Sequence, residues 1–131
     1  MKAPPHAGMS GEHTFVVEPK HAIEFADDAM PAVLATPTLI GLMERTARQT
    51  LAPLLEAHER SVGTEIDLRH LAPSPVGATV TVTTRVIRAE GREVTFQVEA
   101  RDREDMIARG LHKRAIIRVE GFAKRVAAKH G

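Results

Sequence analysis

Residues 36–58 carry the longest helical repeat of apolar side chains in this sequence, and that segment limits the folds open to the rest of the chain. At 100° per residue, the apolar side chains cover an arc of about 220°. They are Leu39, Ile40, Leu42, Met43, Ala47, Leu51, Leu54 and Leu55. An arc this wide predicts a helix enclosed on most sides, since a surface helix needs only one apolar face. Thr36 followed by Pro37 is typical of a helix start, with Thr36 as the N-cap. Pro53 is expected to kink or end the helix near Ala52.

The other apolar residues alternate with polar ones, which is the pattern of strands. Strands are predicted at residues 12–19, 62–71, 79–87, about 94–100 and about 106–119. The connections after the helix are short, Glu90-Gly91-Arg92 among them, so neighbouring strands should be antiparallel. One long buried helix and about five antiparallel strands predict an α+β hotdog fold, in which the sheet wraps around the central helix. A ferredoxin-like fold is excluded because it needs a second helix between strands.

The length of 131 residues fits one domain, which we predict at residues 12–126. Residues 1–11 hold two prolines and two glycines and predict a flexible leader, while residues 127–131 predict a polar tail. No apolar run approaches the ~20 residues of a membrane helix, and the N-terminus lacks a basic-then-apolar signal pattern. The expected location is therefore cytoplasmic, with no membrane partner.

Missing residue types exclude several chemistries. The chain has no Cys, which excludes disulfides, thiolate nucleophiles and iron–sulfur clusters. No His pair has metal-ligand spacing, so neither a metal nor another cofactor is expected. With no Trp, no Tyr and four Phe, the chain lacks a surface on which bases stack, so nucleic acid is not an expected partner. The net charge of +1 hides a basic C-terminal half, whose cations either solvate a sheet face or bind phosphate. The candidates to bind phosphate are Arg88, Arg92, Arg114 and Arg118.

Glu44 breaks the apolar pattern of the predicted helix. On the helical wheel it lies between Leu51 and Leu55, with Ile40 nearby, inside the edge of the apolar arc. Burying an unpaired carboxylate costs several kcal/mol or raises its pKa, and such a carboxylate suits a general base or a nucleophile. The alternative is a salt bridge at the rim of the arc with Arg48, which would contribute only tenths of a kcal/mol.

Thr36 and His70 join Glu44 in a recognisable spacing. Each has a structural interpretation as well, Thr36 as a helix cap and His70 as a hydrogen-bonded group near a strand end. Together, the three residues resemble the catalytic trio of the fluoroacetyl-CoA thioesterase-like family of hotdog proteins. The surrounding runs are also similar to that family: LATP at 34–37, GLME at 41–44, SVGT at 61–64, HLAPSPVG at 70–77 and GLHKRAII at 110–117. The similarity extends from about residue 12 to 126.

The resemblance implies a homodimer that hydrolyses a small acyl-CoA thioester to the free acid and CoA. It implies that Thr36, Glu44 and His70 are the catalytic groups and that Gly63 lies near the thioester carbonyl. Glu44 would activate water or attack the carbonyl, His70 would relay protons, and Thr36 would position the carbonyl or the water.

Two more residues are candidates for binding the substrate: Met30, in the segment before the helix, and Arg114. Fluoroacetate-specific members resemble one another in an aromatic segment before the helix. Here the one aromatic residue of that segment is Phe25, so the resemblance does not indicate which acyl group is hydrolysed. The choice between CoA and a carrier protein, and between a dimer and a tetramer, is also open.

The spacing of Thr36 and Glu44 raises a geometric question, because eight residues of helix separate them by about 12 Å along the axis. Either the chain around Thr36 folds back before a later helix start, or the two residues meet from different subunits. A dimer that joins two sheets edge to edge would also cover an unpaired strand.

Two other functions are compatible with a hotdog fold. The first is a non-catalytic acyl-CoA or acyl-carrier binding protein, in which Glu44 pairs with Arg48. The second is an enoyl-CoA hydratase or dehydratase, which is disfavoured because the helix carries a Glu with no His close after it.

Overall fold

A five-stranded antiparallel sheet forms the body of the molecule, in a computed structural model that describes residues 1–129. The strands are β1 (Ser10–Val16), β2 (Glu59–His70), β3 (Thr79–Glu90), β4 (Glu93–Arg101) and β5 (Met106–Arg118), paired in the order β1-β3-β4-β5-β2. Helix α1 (Thr36–Leu51) follows β1, and α2 (Val119–Ala128) follows β5. Neither helix within residues 1–129 has the length and apolar character needed to cross a bilayer.

Helix α1 packs on one face of the sheet through a stripe of residues spaced by four. Leu39, Met43, Ala47 and Leu51 are fully buried, because residues four apart stack along one side of a helix. They share one core with the inward residues of β3 and β4, which alternate along each strand: Val80, Val82, Val86, Val94, Phe96 and Val98. The predicted hotdog fold is confirmed. The apolar arc is less enclosed than expected, since Ile40 is only half-buried in this chain.

The C-terminal end of α1 was predicted correctly, whereas the residue that caps its N-terminal end was not. The prediction of Thr36 as the N-cap is wrong: Ala35 occupies the cap position with extended backbone, and Thr36 is the first helical residue. At the other end, α1 stops at Leu51 and a 3-10 turn covers Ala52–Leu54. The effect expected of Pro53 is confirmed, because its ring and missing N–H prevent the helix from continuing.

A β-bulge in β2 decides which of its side chains face α1. Gly63 lies opposite Arg114 of β5, and Glu65 lies opposite the preceding residue of that strand, so Thr64 is the extra residue. In a regular strand, residues seven apart point to opposite faces of the sheet. The bulge shifts the alternation by one residue, and both Gly63 and His70 therefore face the helix.

The first residues lie against the body, where a flexible leader over residues 1–11 was predicted. Strand β1 begins at Ser10. The Met1 ammonium nitrogen is 2.8 Å from a carboxylate oxygen of Glu59, and the Lys2 N–H donates to the Leu54 carbonyl. Glu59 is only 1% exposed, and a buried carboxylate is stabilised by cations that approach it. These contacts place the start of the chain beside Glu59 and Leu54.

A second helix follows β5, where only a strand end and a polar tail were predicted. The strand stops at Arg118, and α2 covers Val119–Ala128. Val119, Phe122 and Val126 are spaced by three and four residues, which is the repeat of a helical face. The predicted tail at residues 127–131 thus begins inside α2, and residues 130 and 131 lie outside the described part of the chain.

Candidate active site

Thr36 and His70 form a direct hydrogen-bonded pair. Thr36 opens α1 and His70 ends β2, and their Oγ1 and Nδ1 atoms are 2.7 Å apart. Thr36 is exposed, whereas Nε2 of His70 is buried without a hydrogen-bond partner among the described residues. Burial lowers the pKa of His70 below that of a free imidazole, so the ring is neutral at pH 7. A neutral ring bonded to a hydroxyl is suited to passing a proton between neighbouring groups.

An apolar concavity of about 330 Å³ opens beside this pair. Its lining includes Ile23, Phe25 and Met30 from the loop before α1, together with Thr36 and His70. The loop is held by Asp27, whose carboxylate accepts the backbone N–H of Ala29 at 2.9 Å and of Met30 at 2.7 Å.

These two hydrogen bonds lower the pKa of Asp27, because they stabilise its ionised form. Asp27 therefore holds in place the part of the loop that carries Met30 and lines one side of the concavity.

Glu44 belongs to a separate cluster, two helical turns after Thr36. Its carboxylate lies over Gly63, where a Cβ atom would come within 2.6 Å of Oε2. The salt bridge that forms is not the alternative one with Arg48: Nη1 of Arg114 is 3.8 Å from Oε2. The predicted burial of Glu44 in apolar surroundings is also wrong for the single chain, since its side chain is 43% exposed. A helical wheel compares residues of one helix only, and this carboxylate points past its edge towards β2 and β5.

Arg114 is buried and uses its guanidinium to tie β2 and β5 together. It is 4% exposed, with Nε donating to Ser61 Oγ and Nη2 donating to the Ser61 carbonyl, both at 2.9 Å. Nη1 faces His112 Nε2 at 3.1 Å as well as Glu44. Its burial means that Arg114 does not lie at the surface as a binder of CoA phosphates, one role considered for it. It is placed to orient the Glu44 carboxylate.

His112 completes this cluster, and sequence reasoning did not single it out. It is 1% exposed, and its Nδ1–H donates to the Glu65 carbonyl at 2.8 Å. A carbonyl oxygen only accepts, so Nδ1 carries the proton and Nε2 is free to accept from Arg114. Burial, with the charge of Arg114 adding to it, lowers the pKa of His112 and keeps the ring neutral. The sequence feature that could have identified His112 is the alternation of β5, which puts residues 112 and 114 on its inward face.

The two clusters do not meet within one chain. Because α1 begins at Thr36, Glu44 lies about 12 Å further along the helix axis. The possibility that the chain around Thr36 folds back before a later helix start is thereby excluded. The Thr36–His70 pair and the Glu44 cluster, named the two half-sites below, therefore lie apart in one chain, and each holds polar groups that the other lacks.

The sheet, the helix across its face and the half-sites at that helix define the class of this protein: a hotdog-fold protein that carries the carboxylate, imidazole and hydroxyl groups of a hydrolase. The comparisons with known proteins agree. The model of the family described as fluoroacetyl-CoA-specific thioesterase matches residues 17–120. A curated fluoroacetyl-CoA thioesterase from Streptantibioticus cattleyicolor is 39% identical over 137 residues, which cover 98% of this chain and 97% of that protein.

Solved structures show the same relationship. The fluoroacetyl-CoA thioesterase FlK superposes with a TM-score of 0.87 at 37% identity, over 97% of this chain and 98% of that one. A hot-dog-like protein from Thermanaerovibrio acidaminovorans superposes with a TM-score of 0.88 at 26% identity, over 95% and 93% of the two chains.

This chain belongs to the fluoroacetyl-CoA-specific thioesterase family. It is a thioesterase, a hydrolase of acyl-CoA thioesters. The family resemblance, the hotdog fold and the enzymatic class predicted from the sequence are all confirmed, and a protein that only binds acyl groups is disfavoured.

Proposed function

We propose that this thioesterase hydrolyses a small acyl-CoA to the free acid and CoA at a site shared between the protomers of a homodimer. In each site, Glu44 of one protomer works with Thr36 and His70 of its partner. The observation that supports this proposal best is the start of α1 at Thr36, which separates the two half-sites by two turns in one chain. The cytoplasm is the proposed location, in keeping with a CoA thioester as substrate.

Strand β2 supplies the means of joining the half-sites. It is an edge strand of 12 residues that pairs with β5 on one side only, within the described part of the chain. A long unpaired edge favours pairing with another strand. Gly63 and His70 lie on the same face of β2, near its middle and its end. If two copies of β2 pair antiparallel about a two-fold axis midway between Gly63 and His70, Gly63 of one protomer approaches His70 of its partner.

The chemistry follows from the groups present. Glu44 accepts a proton from water as the water oxygen attacks the thioester carbonyl, or the carboxylate itself attacks and the resulting anhydride is hydrolysed. Whichever group attacks, the C–S bond breaks as the tetrahedral intermediate collapses, which in the second route comes before the anhydride is hydrolysed. The proton that the attacking water loses passes by way of His70 to the CoA sulfur. The Thr36 hydroxyl and the N-terminal end of α1 are placed to stabilise the developing oxyanion. Arg114 holds the Glu44 carboxylate in place throughout.

The size of the concavity supports a small acyl group. Met30 and the other loop side chains form one wall of the concavity of about 330 Å³ that lies next to Thr36. Gly63 leaves room for the thioester carbonyl beside Glu44, because a side chain at that position would fill it. Phe25 is the one aromatic residue among the described lining residues, and it is 65% exposed. We therefore propose that the enzyme accepts several small acyl groups and is not restricted to fluoroacetyl.

The test is a panel of acetyl-, fluoroacetyl-, phenylacetyl- and longer acyl-CoAs measured with the wild type and with Glu44→Gln. The variant should lose at least about a hundredfold in kcat on every substrate, as expected when a general base or nucleophile is removed. Its melting temperature should stay close to that of the wild type, since Glu44 is half exposed. Glu12→Gln, an exposed carboxylate on β1, is the control and should keep full activity. Full activity of Glu44→Gln would remove the carboxylate from the mechanism.

A single-turnover reaction in ¹⁸O-labelled water separates the two roles of Glu44. If Glu44 acts as a base, the label appears only in the released acid. Label in the Glu44 side chain shows that it acts as a nucleophile, with water attacking the Glu44 carbonyl carbon of the anhydride.

A further inference from the structure

A cavity of about 540 Å³ lies between the end of β5 and α2, away from both half-sites. Four cationic side chains line it: Arg92, Arg118, Lys124 and Arg125. Glu120 is the one carboxylate among its described lining residues. The mechanism uses none of these groups, so the cavity has no role in the chemistry described above.

The cations are held in ways that leave an excess of positive charge. Nη1 of Arg92 is 3.2 Å from Glu59 Oε2 and 3.3 Å from the Ile116 carbonyl, which fixes that guanidinium at the wall. Lys124 Nζ is 3.5 Å from the Glu120 carboxylate, so that pair is nearly neutral. Arg118 has no ion pair among the described residues.

Arg125 is not paired with a carboxylate either. Its guanidinium lies 5.8 Å from the centre of the Phe122 ring, a contact that orients it without cancelling its charge. Arg118 and Arg125 are therefore the two cations whose charge is free to act on a ligand. A concave site with such an excess attracts an anion that carries several charges.

Strand β5 connects this cavity to the Glu44 cluster. Arg114 and Arg118 are four residues apart on the same face of the strand, and Gly63 and Glu59 of β2 lie opposite them. Four residues of strand span about 13 Å. The cavity and the carboxylate thus lie at two positions along one two-stranded ribbon, at a fixed separation.

That separation matches one part of the CoA molecule. About thirteen bonds lie between the CoA sulfur and its first phosphorus, which is the length of about four residues of extended peptide, or about 14 Å. Beyond that phosphorus, CoA carries the second phosphate, the ribose 3′-phosphate and the adenine. Guanidinium groups bind phosphates through paired N–H donors, and Arg118 and Arg125 supply two of them.

We propose that the cavity between β5 and α2 binds the phosphorylated adenosine end of CoA while the thioester lies beside Glu44. This inference rests on the proposed function, since it assigns the distal part of the same substrate. It favours CoA over a carrier protein as the acyl donor, because the phosphopantetheine arm of a carrier has no adenosine 3′-phosphate.

Equilibrium binding tests the cavity without relying on hydrolysis. Titration calorimetry with CoA and with adenosine 3′,5′-bisphosphate should show binding to the wild type, weakened about tenfold or more in Arg118→Gln/Arg125→Gln. Arg103→Gln, which removes an exposed arginine elsewhere, is the control and should bind as the wild type does. Inorganic phosphate should compete only at much higher concentration. Equal competition by phosphate would show a simple anion site and overturn the assignment to CoA.

Kinetics with a substrate that lacks the nucleotide provides a second test of the cavity. For acetyl-CoA, the double variant should raise KM about tenfold and leave kcat unchanged. For S-acetyl-N-acetylcysteamine, which has no phosphate, kcat/KM should be the same in variant and wild type. An unchanged KM for acetyl-CoA would overturn the proposal, as would an equal loss on both substrates. If the double variant unfolds, Arg125→Gln alone carries the same test.

The two proposals fail in different ways. An active Glu44→Gln variant contradicts the catalytic assignment and leaves CoA binding at the cavity intact. Undiminished CoA binding by the double arginine variant contradicts the cavity and leaves the catalytic assignment intact.

Discussion

The absence of a side chain at Gly63 decides where the Glu44 carboxylate can lie. A Cβ at residue 63 would come within 2.6 Å of Glu44 Oε2, closer than real Cβ atoms approach, and would make a tight contact of 3.2 Å with His112 Cε1. Gly63→Ala should therefore displace the carboxylate and lower kcat/KM by about tenfold to a hundredfold, since a misplacement of about 1 Å has an effect of this order in active sites. Steady-state kinetics with the preferred acyl-CoA measures the loss.

Gly41→Ala provides the matched control for that substitution. Gly41 lies within α1, three residues before Glu44, and an added Cβ there meets nothing within 4 Å. Alanine stabilises an exposed helix position by about 0.5–1 kcal/mol relative to glycine, so this variant should melt slightly higher and keep full activity. An equal loss of activity in both variants would mean that Gly63 has no specific role.

His112 should make the stability of the protein depend on pH. Burial lowers its pKa in the folded state, so the unfolded chain takes up the proton at a higher pH than the folded chain does. Stability is then fully present above about pH 6.5 and declines as the pH falls through that value towards the folded pKa. His70 is shifted in the same direction and adds to the effect. The melting temperature should be lower at pH 5.5 than at pH 7.5.

A variant isolates the share of His112 in this pH dependence. His112→Gln keeps an acceptor for Arg114 but removes the titrating ring, so its melting temperature should vary less between pH 7.5 and 5.5. Lys113→Gln, on the outward side of the same strand, should keep the wild-type slope. Identical slopes in the wild type and His112→Gln would contradict a buried neutral imidazole.

The site residues show what a sequence can and cannot predict. Thr36, Glu44 and His70 were selected from their types and spacing, and the pairing of Thr36 with His70 is present in the structure. The partner of Glu44 was not found, because Arg114 lies seventy residues further along the chain and reaches Glu44 only through the pairing of β2 with β5. Contacts of that kind depend on register, which a helical wheel does not contain.

The start of α1 separates the chemical role of Thr36 from a structural one. Since Ala35 is the N-cap, Thr36→Val should change stability by no more than about 0.5 kcal/mol. A lost threonine cap would cost about 1 kcal/mol. The same variant leaves His70 Nδ1 without its hydroxyl partner, so activity should fall at least about tenfold. Thr36→Ser, which keeps the hydroxyl, should retain most of the activity.

Secondary structure was predictable where its signal lies within a few residues. Pro53 ends α1 as expected, and the hairpin around Gly91 forms where its turn residues indicated. Helix α2 was missed because the last strand was predicted to end at about residue 119 and the short, charge-rich segment after it was assigned no element. The contact of Met1 with Glu59 was not predictable, because it depends on the buried Glu59 carboxylate, whose burial results from the complete fold.

The edge strand β2 links the fold to the function. It carries Gly63 of one half-site and His70 of the other, and the bulge at Thr64 turns both towards the helix side. Without the bulge, the two residues would face opposite sides of the sheet. In the proposed dimer, pairing at this edge extends the sheet and brings the two half-sites together, whereas a monomer keeps them about 12 Å apart along α1.

Mixing two inactive variants tests this arrangement directly. In a mixed dimer of Glu44→Gln and His70→Ala, one site combines both defects and the other combines Glu44 from one protomer with Thr36 and His70 from its partner. Random refolding makes half of the dimers mixed, and each has one intact site of two, so about one quarter of wild-type activity should return. Mixing Thr36→Val with His70→Ala is the matched control, because both defects lie in the same half-site and no intact site forms. Activity that stays at the level of the separate variants in the first mixture would contradict a shared site and would require the two half-sites to act within one chain.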